Sequence, residues 1–321
     1  MKHIKSLFLA ALLCLTTTVF AAYDGVPVTP EPITADNYPL YGLTASNYTD
    51  YLGKYVINDA AHLCGLAKYI SEQSSSAQMK DAIYVVLTAD IVVNENCLAT
   101  IEAGETPAYE WLPICTYQHN RLMFFDGQGH TVSGLYFSNT STGYAGQGGG
   151  QYVGLFGYLY GGRIENVGVK DSYMKGKSEV GGIVGYMTTN NASIAPMVVK
   201  NCYSEATMES DKWVGGIVGF ASDAGSQIIN CCNRGKVTSL SSGQSGGIGG
   251  YMQALTLKNC LNLGEVVSST SYKPGAICYL DDAVVSNCYY LAGSAHRSDG
   301  TLLYGLSNTT SDVPSYTFSI A

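Results

Sequence analysis

A short phrase of glycines and aliphatic residues returns again and again in the second half of this chain, and it restricts the possible folds more than any other feature. Val153-Gly154-Leu155-Phe156-Gly157-Tyr158 reappears as Val180-Gly181-Gly182-Ile183-Val184-Gly185-Tyr186. It returns as Val214-Gly215-Gly216-Ile217-Val218-Gly219-Phe220, then as Gly246-Gly247-Ile248-Gly249-Gly250-Tyr251. A degraded copy, Pro274-Gly275-Ala276-Ile277-Cys278-Tyr279, closes the series. A second element keeps step: Ile164-Glu165-Asn166-Val167 is followed by copies ending Asn201-Cys202, Asn230-Cys231, Asn259-Cys260 and Asn287-Cys288, the last three intervals being 29, 29 and 28 residues. A weaker third segment follows each, at Tyr173-Met174, Thr207-Met208, Lys236-Val237-Thr238 and Glu265-Val266-Val267.

Three β-prone segments per repeat, divided by Gly, Asn and Ser, predict one coil of a single-stranded parallel β-helix. The expected fold is therefore an all-β, right-handed solenoid of five to six coils with a small amino-terminal α/β cap. Each segment pairs with its copy about 4.8 Å away, so like positions stack into columns. The aliphatic columns (Leu155, Ile183, Ile217, Ile248; Ile164, Val199, Ile228, Leu257, Val285) are placed inside. The column Asn166, Asn201, Asn230, Asn259, Asn287 suits a bend, because Asn tolerates left-handed backbone and its amide can bond to the next coil. That bend turns Cys202, Cys231, Cys260 and Cys288 inward as small apolar residues. Buried thiols are the expected state, with disulfides between neighbouring coils as the alternative. A linear ladder does not present tetrahedral ligands, so no metal is expected.

Residues 1–22 have the form of an export signal: Lys2 and Lys5, an apolar run from Leu7 to Leu15, and small residues at Ala21 and Ala22, where cleavage is expected. Residues 23–50 read as an extended leader and 51–120 as the α/β cap, with a helix from Asn58 or Asp59 through Glu72. Residues 121–295 form the repeat solenoid and 296–321 a carboxy-terminal cap or tail. The formal charge is −8, from 17 basic and 25 acidic residues; without Lys2 and Lys5 it is 15 − 25 = −10. That balance is a poor match for nucleic acid or an anionic membrane. No stretch is long enough for a transmembrane helix.

Phe125-Asp126-Gly127-Gln128-Gly129-His130-Thr131-Val132-Ser133-Gly134 resembles the first coil of many bacterial surface β-helix proteins. The Gly-Leu-Phe-Gly and Gly-Gly-Ile-Val-Gly copies, each followed by an Asn-Cys strand, resemble the GLUG motif. The likeness spans roughly residues 55 to 295. It implies an exported or cell-surface protein, in a class that includes adhesins and non-catalytic parts of immunoglobulin A metallopeptidases. It carries over no catalytic residue, and the chain has no His-Glu-x-x-His sequence to hold a peptidase zinc.

Motifs with possible chemistry compete with the repeat. Gly243-Gln244-Ser245-Gly246-Gly247 matches Gly-x-Ser-x-Gly, but its last glycines belong to the repeat and no helix follows. Gly176-Lys177-Ser178 resembles the end of a phosphate loop yet leads into a strand. A β-helix lyase or hydrolase would need a base, or paired carboxylates, on one face. Candidates are Asp281-Asp282, Glu209 with Asp211, and the bases Arg163, Lys200 and Arg234. The most informative column is aromatic: Tyr158, Tyr186, Phe220 and Tyr251, which alternation places outside, where flat sugar faces can stack; the alternative is a column at a corner or under a loop that serves only packing. Tyr203, Tyr289 and Tyr290 could widen it. The leading expectation is a non-enzymatic exported binder of glycans or host surface proteins, with no cofactor. The alternatives are a carbohydrate-active β-helix enzyme and a stalk without a ligand.

Overall fold

The computed structural model describes residues 23–73, 82–189, 194, 196–241, 243–269 and 274–306, and the backbone of 317–318. The export-signal reading lies outside the described residues, as does most of the tail beyond 306. The chain is nearly all β, and its parallel sheets form a solenoid of about seven turns.

The solenoid has five parallel sheets, two of eight strands and the others of six, five and four. A complete coil visits each once, as in Gly162–Glu165, Gly168–Lys170, Tyr173–Gly176, Ser178–Gly181 and Val184–Thr188. Five short strands, rather than the three expected, arise because the repeat's bends interrupt the segments. Asn166, Asn201, Asn230, Asn259 and Asn287 all adopt positive φ, between 50° and 57°. They separate the first sheet from the second in successive coils. Pairing is in register, so that Val199 lies between Ile164 and Ile228.

The asparagine column is a continuous amide ladder. Asn201 Nδ2 donates to Asn166 Oδ1 (2.9 Å), Asn230 to Asn201 (3.0 Å), Asn259 to Asn230 (3.0 Å) and Asn287 to Asn259 (3.2 Å). Asp126 ends the ladder by accepting from Asn166. Asn230→Ala would lose two of these bonds and leave in left-handed backbone a residue without the short polar side chain that lets Asn tolerate it, a conformation that costs most residues about 1–2 kcal/mol. A loss of about 2–3 kcal/mol is expected from both effects, with Asn230→Gly recovering the backbone part. Chemical denaturation of the two variants checks this.

The columns assigned to the interior are there. Leu155, Ile183, Ile217 and Ile248 are fully buried, as are Ile164, Val199, Ile228 and Leu257, while Val285 on the last rung is half-buried. Cys202, Cys231, Cys260 and Cys288 stand in one buried column as free thiols, and burial pushes the Cys231 thiol well up. One interior column has no counterpart in the sequence reading. Ser204, Asn233 and Asn262 are buried without apolar character, and Asn233 Nδ2 donates to Asn262 Oδ1 at 2.8 Å.

The amino-terminal end continues the same sheets. Tyr55–Ile57 and Ile83–Leu87 are the first two strands of the asparagine-side sheet, and Ile91–Val92 opens the next sheet. These strands lengthen the solenoid beyond the expected coil number, and residue 120 marks no break in the sheet. Helix α1 (Ala60–Glu72) starts at Asp59, whose carboxylate accepts from the His62 amide at 2.8 Å. Its Leu63, Leu66, Ala67 and Ile70 close the core at this end. Helix α2 (Cys97–Glu102) was not anticipated. Two of its free amide groups, at Cys97 and Leu98, donate to Asp171 (3.0 and 2.9 Å). Residues 23–50 are not simply extended: they contain 3₁₀ turns at Tyr38–Tyr41 and Tyr48–Tyr51, and Ile33, Tyr41 and Leu43 form a small core with Val56. Residues 111–114 form no regular strand: Ile114 makes an isolated bridge to Phe156, and the Trp111 amide donates to Tyr136 O at 2.6 Å.

Candidate binding surface

The aromatic column lies on the sheet built from Phe156–Leu159, Val184–Thr188, Val218–Ser222, Gly249–Gln253 and Cys278–Asp281. Tyr186 pairs in register with Tyr158 and Phe220, and Phe220 with Tyr251. Alternation turns these rings away from the core, because Met187, next to Tyr186 on the strand, is buried in it. Ring centroids stand 4.8, 4.8 and 5.0 Å apart with planes within 9° of parallel, and Tyr279 adds a fifth ring at 5.1 Å.

This geometry changes what the strip can offer. Parallel rings at one strand spacing cover each other's faces, so mainly edges and hydroxyls face outward. The hydroxyls are engaged as well: Tyr186 Oη lies 3.2 Å from Ser222 Oγ, and Tyr251 Oη donates to Asp281. Tyr158 departs from the expected exposure. It is buried at 7% because Tyr117 and Tyr152 pack edge-on against its ring (5.2 and 5.3 Å), with Tyr144 stacked outside them. Tyr117 and Tyr144 come from the segment around 117 and the loop after residue 139, outside the repeat, whereas Tyr152 lies on the repeat strand Gln151–Val153. Tyr186, Phe220, Tyr251 and Tyr279 are partly exposed.

A flanking column was missed. Residues just before Val153, Val180, Val214 and Ser245 sit beside the strip: Tyr152, Glu179, Trp213 and Gln244. Trp213 is tilted by 48° to Phe220 and 57° to Tyr251 and donates its indole N–H to Gln244. The Lys212 ammonium lies 3.7 Å from its ring centroid. Glu179 is buried, with positive φ (52°) and one carboxylate oxygen without a partner among the described residues. Burial pushes its carboxyl up to about 7, against smaller opposing contributions from Ser178 and Lys212. The sequence signal for this column was weak, because four different residue types occupy it.

The other candidates are dispersed or paired. Tyr203, Tyr289 and Tyr290 belong to a different sheet and do not widen the strip; Tyr290 is buried and Tyr289 exposed. Lys200 and Arg163 both hold Glu165 at 2.8 Å, Lys175 holds Glu209 (3.2 Å) and Lys177 holds Asp211 (2.8 Å). Arg234 holds Glu205 at 3.0 Å. Asp281 accepts from Tyr251, while its neighbour Asp282 is exposed. Lys177 occupies the bend between two strands, and Ser245 is buried on a strand. No group of three or more metal-ligating side chains occurs among the described residues. No helix among them is long and apolar enough to cross a membrane.

Searches with family models and against curated proteins find no match for this chain. Among solved structures it is similar to the crystal structure of a putative immunoglobulin A1 protease from Bacteroides ovatus. The two share 20% identity and a TM-score of 0.52, over 82% of this chain and 84% of the other. At that identity the likeness is one of fold, and it agrees with the parallel β-solenoid described above.

Proposed function

We propose that this chain is an exported, non-enzymatic solenoid that binds extended glycans on a host or polymer surface through its aromatic strip. The reading rests on the strip itself: rings in register over successive coils, partly exposed from Tyr186 to Tyr279 and flanked by the tilted indole of Trp213. The indole face that carries the Lys212 ammonium suits the C–H face of a sugar once that side chain swings away, and the electropositive ring edges of the strip suit sugar oxygens. The acids and bases a lyase or hydrolase would use are held in ion pairs between coils, which favours the non-enzymatic reading. The GLUG resemblance and the name of the structural neighbour agree with a surface or secreted role.

A glycan array probed with the purified chain tests this. Binding to a restricted set of glycans is expected, with at least a tenfold loss in a Phe220→Ala, Tyr251→Ala double variant that remains folded. An empty array, or unchanged binding in the variant, would contradict the proposal. In the second case depolymerisation assays on pooled polysaccharides become the next measurement.

A further inference from the structure

We infer that Lys212 and Trp213 form the subsite at which the strip takes a carboxylated sugar, a uronic acid residue inside a longer chain. This deepens the glycan-binding reading and depends on it. The ladder rings are sandwiched by one another, whereas the ring of Trp213 stands outside the stack at 48° to Phe220. Its indole N–H bond to Gln244 fixes the plane. The Lys212 ammonium rests on that ring, 3.7 Å from its centroid.

Lys212 is exposed and forms no ion pair among the described residues, unlike Lys177 nearby, which Asp211 neutralises at 2.8 Å. A cation–π contact at an exposed site is worth about 0.5–1 kcal/mol, so the ammonium is readily displaced. A pyranose face can then take the indole while the sugar carboxylate takes the ammonium, a charge-assisted contact. The site lies in mid-strip, with rungs on both sides at Val180 and Ser245. A ligand crossing it therefore continues in both directions, which calls for an internal uronate rather than a chain end. The net charge of −8 opposes a polyanion at long range, so the preference comes from this local contact.

The chain has two tryptophans, and Trp111 is buried with its indole N–H on Gly154 O at 2.9 Å, so emission changes report on Trp213. The probes are hexagalacturonate and its fully methyl-esterified form, titrated by fluorescence and calorimetry. Hexagalacturonate is expected to change the emission and to bind about tenfold more tightly than the ester, a factor that corresponds to about 1.4 kcal/mol. Lys212→Met should bring the two affinities together, and Trp213→Phe should remove the emission change and weaken both. Equal affinity of wild type for acid and ester, or a preference surviving in Lys212→Met, would overturn the subsite. If neither probe binds while neutral glycans bind the array, the subsite fails and the glycan reading stands. An array empty of all glycans removes both.

Discussion

Gly219→Ala is expected to destabilise the solenoid by more than about 3 kcal/mol, at or beyond the upper end of what overpacking usually costs. A β-carbon there would lie 2.6 Å from both the carbonyl carbon of Glu179 and the nitrogen of Val180, and 2.7 Å from the Gly185 oxygen. All three are backbone atoms, so no side-chain rotation relieves the clash. The repeat glycine thus marks where the strand Ser178–Gly181 lies directly over its neighbours. Gly129→Ala is the contrast. Nothing lies within 4 Å of its β-carbon position, but its φ is +87°, so only the left-handed cost of about 1–2 kcal/mol applies. Denaturant midpoints of the two variants should separate steric exclusion from backbone strain. Equal effects would refute the close-approach explanation.

Glu179→Gln should stabilise the protein above neutral pH and leave it unchanged in acid. The Glu179 carboxyl titrates near 4.5 when unfolded and is raised to about 7 when folded, chiefly by burial. Between these values the native state holds the proton that the unfolded chain has released. Stability therefore falls as pH rises through the window from 4.5 to about 7, and levels off above it. The gap corresponds to about 3 kcal/mol at 1.36 kcal/mol per pH unit. Gln copies the neutral acid, so at pH 8 the variant should exceed wild type by up to that amount, while the two converge below pH 4.5. Unfolding curves at pH 4 and pH 8 decide it. A variant less stable than wild type at pH 8 would mean that the carboxylate is favourably paired.

Much of the fold is legible in the sequence because a solenoid converts chain period into spatial columns. The asparagines at 166, 201, 230, 259 and 287 could be assigned to a bend from their spacing and their tolerance of left-handed backbone, and the structure gives each a positive φ. The aliphatic columns are equally direct, since burial selects one residue class on every rung. Two things were hidden. The subdivision of each coil into five strands depends on local bends at Gly-Gly and Asn, which periodicity alone does not resolve. The ends were harder still: Tyr55–Ile57 and Ile83–Leu87 pair with the sheet although their sequences carry no repeat signature.

The candidate surface was legible only in part. The column Tyr158, Tyr186, Phe220, Tyr251 follows from the repeat, but the burial of Tyr158 depends on Tyr117 and Tyr144, which lie outside it. Trp213 and Glu179 share a column without sharing a residue type, so no recurring letter marked them. Mutual stacking of the rings is a consequence of register at 4.8 Å, and it redirects attention from the ladder faces to the single tilted indole.

Pulsed electron paramagnetic resonance on paired spin labels measures the stacking itself. Asp126, Glu165, Lys200, Ile229, Lys258 and Ser286 form one outward column of registered neighbours. Labels at Asp126 and Ser286, five rungs apart, should lie about 24 Å from each other, and moving the first label to Glu165 should shorten this by about 4.8 Å. Distances that fail to shrink by one strand spacing per repeat would contradict a structure in which successive copies sit one above another.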